Sequence, residues 1–163
     1  MICVSLKRFP NRLGKLLFVC LSGLAVAGLG SPAQAQKANP DDRPLFAGFR
    51  GVRIGMAADE ARKKLGNPSD KGDELDLYLF NENQAVQVYY DKAKMVSAIS
   101  IDFMSGAADI PMPKDVVGGE PDSRPDGSLY KMVRYPKAGY WIAYSKGTGN
   151  APTITITMQK IEH

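Results

Sequence analysis

Residues Leu75 to Phe103 read LDLYLFNENQAVQVYYDKAKMVSAISIDF, and this stretch decides the fold. Leu75, Leu77 and Leu79 alternate with Asp76, Tyr78 and Phe80, the period of two expected of a strand. Asn81-Glu82-Asn83 breaks the pattern before AVQVYYD (Ala85 to Asp91), so the two runs read as a hairpin. A third run, Met95 to Phe103, sets Ile99, Ile101 and Phe103 on one side and Val96, Ala98, Ser100 and Asp102 on the other. Three antiparallel strands in succession make a meander.

Immediately upstream, GMAADEARKKLGNP (Gly55 to Pro68) predicts a short helix. Asp59 and Glu60 stand in its first turn, Arg62, Lys63 and Lys64 follow, and Gly66 and Pro68 end it, a charge order that complements the helix dipole. Met56, Ala61 and Leu65 form a narrow apolar stripe suited to lying on a sheet. Downstream the order of elements recurs: PKDVVGGEP (Pro113 to Pro121), then expected strands at Leu129 to Tyr135, Tyr140 to Ser145 and Thr153 to Lys160. The expectation is an α+β fold, a short N-terminal helix packed on an antiparallel β-meander, with a second helix-plus-meander unit in tandem. The α+β domain spans 45–163, with subunits 45–108 and 109–163 if the halves are copies.

The first 35 residues follow the order of a secretory signal. Lys7, Arg8, Arg12 and Lys15 precede an apolar run from Leu16 to Leu29, and Ala33-Gln34-Ala35 supplies the small-residue cleavage site. The apolar run of about 14 residues is shorter than the roughly 20 needed to span a bilayer. Val19 stands before Cys20 where a lipoprotein signal wants a small residue, which argues against lipidation. The expected product is periplasmic or secreted, with 36–44 (QKANPDDRP) as a flexible leader.

Cleavage changes the electrostatic argument. The segment holds four of the 21 basic residues and none of the 17 acidic ones, so 17 of each remain and nucleic acid loses its electrostatic motive. Cys3 and Cys20 leave with it, so the 128 residues that remain have neither a disulfide nor a thiol nucleophile. A chain of that length buries about two-thirds of its unfolded surface and supports one compact domain.

The segment GVRIGMAADEARKKLGNPSD (Gly51 to Asp70), followed by strands, resembles the SmpA/OmlA-like and beta-lactamase-inhibitor-protein-like (BLIP-like) domains. Their pattern is an isoleucine ahead of Gly-Met-Thr, a short helix and then Leu-Gly-x-Pro, matched here by Ile54, Gly55, Met56, Leu65, Gly66 and Pro68. The resemblance covers about 50 residues, through Phe103. It implies a binder rather than an enzyme, with a tandem copy similar to the double-unit inhibitors, and it leaves open a peripheral association with the outer membrane. Ala57 departs from the pattern where a capping Thr is usual, at a cost of about 1 kcal/mol unless another group caps the helix.

Catalytic and metal constellations are not evident. His163 is the sole histidine and the last residue, which removes the usual base for a serine or cysteine nucleophile and histidine-based zinc sites. Ser128-Leu129-Tyr130-Lys131 and Lys146-Gly147-Thr148-Gly149 echo penicillin-recognising serine enzymes, but Ser128 and Lys131 sit in a strand pattern and point to opposite faces. Gly147 and Gly149 read as hairpin glycines. Asp70, Asp73, Glu74 and Asp76 lack the spacing of a calcium loop and read as a solvated turn. No cofactor is expected.

Aromatic density in the strands remains. Tyr78, Tyr89, Tyr130, Tyr140, Trp141 and Tyr144 are the candidate protein-binding face, because tyrosine and tryptophan dominate protein recognition. Aromatics are also ordinary strand residues, and Tyr140 and Tyr144 share a face opposite Trp141, so one set or the other must be covered. The leading expectation is a non-enzymatic, exported protein-binding module, an envelope assembly or scaffold component. Its rivals are an inhibitor of a secreted hydrolase (beta-lactamase, lysozyme or protease), a small-ligand sensor with an apolar cavity, and a carboxylate-based hydrolase.

Overall fold

The computed structural model describes residues 43–162; the expected signal segment, the first residues of the expected leader and His163 lie outside them. The elements run α1 (Ala58–Leu65), β1 (Asp70–Lys71), β2 (Leu75–Asn81), β3 (Gln84–Tyr90), β4 (Val96–Phe103), α2 (Pro113–Val117), β5 (Asp122–Ser123), β6 (Leu129–Tyr135), β7 (Tyr140–Lys146) and β8 (Ile154–Lys160). The strands form one antiparallel sheet in the order β1-β2-β3-β4-β8-β7-β6-β5. Each half is a helix, a two-residue strand and a three-strand meander, and the halves join through β4 and β8. The strand order is therefore a palindrome about that seam.

One sheet face carries the core. Val86, Val88 and Tyr90 on β3, Ile99, Ile101 and Phe103 on β4, Ile156 and Met158 on β8, and Tyr140, Ile142 and Tyr144 on β7 are buried together with Ala58 and Ala61 of α1 and Val116 and Val117 of α2. Both helices thus cover the same side. On β2 the inward set is Asp76, Tyr78 and Phe80, and the leucines face away.

Val96 departs from the simple alternation. Tyr89 opposes Ala98 but Tyr90 opposes Val96, so Ser97 is bulged out and Val96 turns inward, where it is 1 % exposed. A bulge inserts one unpaired residue and shifts the face beyond it.

The helix at α1 is shorter than the Gly55 to Pro68 segment. Ala57 is its N-cap without a side-chain bond, and the Lys94 carbonyl accepts the Ala58 N–H at 2.9 Å instead. The β3–β4 turn thus satisfies one of the orphan amides of the helix. Gly66 ends α1 at φ 87°, a conformation that disfavours any side chain.

Candidate protein-binding face

The uncovered face follows from the same registers. Leu75, Tyr89, Ala98, Gln159, Trp141 and Arg134 make one row across six strands. The next row joins Leu77, Gln87, Ser100, Thr157, Ala143 and Met132, and the third joins Leu79, Ala85, Asp102, Thr155, Ser145 and Tyr130. Ala98, Ser100, Thr155 and Thr157, with Gln159 and Asp102, occupy the middle. Leu75, Leu77, Leu79 and Tyr89 lie to one side of them, and Trp141, Met132 and Tyr130, with Arg134, to the other.

The middle is a polar seam between the halves. Thr155 Oγ1 donates to Asp102 Oδ1 at 2.7 Å, and the hydroxyls of Ser100 and Thr157 are 3.5 Å apart. A groove of about 780 Å³ runs over it, with Tyr89, Ala98, Ser100, Thr157 and Gln159 among its lining residues. Lys160 Nζ lies 3.6 Å from Asp91 Oδ2 beside it. The Met95 amide, with that of Ala93 and the charge of Lys160, holds the Asp91 carboxyl below its ordinary range.

The six aromatic candidates separate by face. Tyr89, 37 % exposed, lies on the open face with half-buried Trp141 and Tyr130, and the Arg124 guanidinium covers the Tyr130 ring at 4.0 Å. Tyr78, Tyr140 and Tyr144 are buried on the helix side, where burial pushes each hydroxyl pKa up. These three therefore belong to the core and offer no surface to a partner. The signal that sequence reading missed is the leucine stripe: Leu75 is 37 % and Leu79 58 % exposed, with Leu77 half-buried between them.

Of the acidic turn, Asp70, Asp73 and Glu74 are exposed as expected, and Asp76 needs correcting. It is fully buried under α1. Its carboxylate accepts from Arg62 Nε at 2.7 Å, Arg62 Nη2 at 3.1 Å, the Tyr90 hydroxyl at 2.7 Å and the Gly72 amide at 3.2 Å. Burial pushes the Asp76 carboxyl up, but the bonds from Arg62 and Tyr90 outweigh it and hold the group below its ordinary range. The bond to Asp76 raises the Arg62 pKa in turn. A carboxylate so fully used is a structural tie between helix and sheet, with no lone pair aimed at a substrate.

The echo of serine enzymes dissolves on geometry. Ser128 Oγ donates to Asp126 at 2.7 Å, whereas Lys131 Nζ reaches the Glu120 carbonyl at 3.4 Å. Gly147 donates to the Thr153 carbonyl and closes the β7–β8 connection. No helix among the described residues is long and apolar enough to cross a membrane. Comparison with protein-family models, curated proteins and solved structures returned no match.

Proposed function

We propose that this chain is an exported, non-enzymatic binding module that docks another envelope or secreted protein on the open face of its sheet. The observation that carries the reading is the stripe Leu75, Leu77 and Leu79 with Tyr89 beside it, apolar side chains turned away from the helix-covered core. A contiguous exposed apolar patch on a soluble domain is a mark of an interaction site. The flanked seam gives such a partner a concave seat with hydrogen-bonding groups along its floor.

The paired helix-plus-meander halves favour a second, narrower reading, a BLIP-like inhibitor of a secreted hydrolase, because that is the architecture the family resemblance implies. Residues 36–163, immobilised and exposed to an envelope extract, distinguish the two. Capture of one hydrolase with loss of its activity selects inhibition, and capture of assembly components selects the scaffold. Each retained protein must be released by Leu79→Asp and by Tyr89→Ser; a capture profile identical for the wild type and both variants overturns the open-face reading.

A further inference from the structure

A second concavity lies away from the open face. The hairpin Phe49–Val52, closed by reciprocal bonds of 2.9 and 2.8 Å, approaches the β2–β3 turn and the segment after β4. Between them is a pocket of about 370 Å³ lined by Phe46, Phe49, Phe103, Ala107, Ala108 and Pro111, with Arg50 and Asp109 also on its wall. That volume is at the small end of ligand sites.

Arg50 is held in an unusual way. It takes φ 47° at the hairpin position where Gly or Asn is favoured, and its guanidinium lies 3.9 Å over the Phe80 ring and 5.4 Å from Phe49. Stacking uses the face of the guanidinium and leaves its edge of N–H donors in the plane. Among the described residues that edge has one polar contact, a 3.4 Å bond to Gln84 Oε1. Asp109, also at positive φ, 54°, has no hydrogen bond or ion pair among the described residues. An aromatic pocket therefore carries one cation and one anion that are not paired with each other.

We infer that this pocket binds a small apolar zwitterion: Arg50 takes its carboxylate through the guanidinium edge, Asp109 takes its ammonium, and Phe46, Phe49 and Phe103 enclose its side chain. Arginine binds carboxylates in a bidentate fork, and Arg50 and Asp109, both exposed at the rim of the pocket, leave their polar edges open to a ligand that carries both charges. The same chemistry is offered by a free apolar amino acid and by a short apolar peptide. The proposal is independent of docking on the open sheet.

Isothermal titration of residues 36–163 tests it with L-phenylalanine, phenylalanyl-phenylalanine, L-phenylalanine amide and 3-phenylpropionate. One of the two zwitterions is expected to bind, with the amide and the phenylpropionate each at least ~10-fold weaker, and the tighter zwitterion identifies the source. Arg50→Gln is expected to weaken the zwitterion at least ~10-fold while leaving the amide unchanged, and Asp109→Asn to weaken it while leaving phenylpropionate no weaker. Absence of heat from both zwitterions at millimolar concentration overturns the proposal, as does equal affinity for acid and amide in wild type and Arg50→Gln.

Discussion

Arg62 on α1 meets Asp76 on β2 side-on, Nε to Oδ2 at 2.7 Å and Nη2 to Oδ1 at 3.1 Å, across 14 residues of chain. Arg62 Nη2 also donates to the Gly72 carbonyl at 3.0 Å, so one guanidinium fixes the helix, the loop after it and the first long strand. Removing Asp76 takes the main acceptor from Arg62, whose side chain is 22 % exposed and keeps a 3.7 Å contact with Asp59, and leaves the Tyr90 hydroxyl unmet, so the cost falls below that of a fully buried pair, at about 2–3 kcal/mol. Asp76→Ala is expected to lose that much in urea unfolding. The triple variant Arg62→Met, Asp76→Leu, Tyr90→Phe should recover much of it, because the helix then rests on an apolar contact and no Tyr90 hydroxyl is left without its acceptor.

The same tie sets a pH dependence at both ends. The folded-state pKa of Asp76 is lowered, so its contribution is present above the ordinary carboxylate value of about 4 and is lost as pH falls through the lower folded value. Burial, followed by the bond to Asp76, raises the Tyr90 pKa, so its contribution is present below about pH 10 and is lost as pH rises beyond it. Urea midpoints should therefore fall on both the acid and the alkaline side. Asp76→Asn should flatten the acid limb and Tyr90→Phe the alkaline one.

Local alternation made the meanders legible. The runs Leu75 to Phe80, Ala85 to Asp91 and Met95 to Phe103 correspond to β2, β3 and β4, and the expected strands of the second half lie within a residue of β6, β7 and β8. Alternation divides a strand into two faces without saying which is covered. On β2 the inward set is Asp76, Tyr78 and Phe80, because Arg62 neutralises the aspartate from α1, a long-range event absent from the strand's own pattern. Val96 was unreadable for a different reason: the bulge at Ser97 is a property of pairing with β3.

Substitutions on the two faces should behave oppositely. Tyr144, 4 % exposed among the core side chains of β7, is expected to cost about 3–5 kcal/mol as Tyr144→Ala, enough to threaten the fold. Leu79→Asp changes a side chain 58 % exposed and is expected to stay within about 0.5 kcal/mol of the wild type. Thermal unfolding followed by circular dichroism checks both. A large loss for Leu79→Asp would return the leucine stripe to a structural role.

The start of α1 offers the reverse experiment, a gain. Ala57 has the extended N-cap backbone, φ −66° and ψ 143°, yet contributes no side-chain oxygen. Lys94 satisfies only the Ala58 amide, leaving the N–H groups of Asp59 and Glu60 as those that a capping hydroxyl reaches. Because Ala57 is exposed, a hydroxyl there displaces nothing from the core. Ala57→Ser is expected to stabilise the domain by about 0.5–1 kcal/mol in urea unfolding, within the range measured for such caps. If the midpoint does not move, the bond from Lys94 and the tie through Arg62 already hold the helix start as firmly as a cap would, and the alanine at position 57 costs this chain nothing.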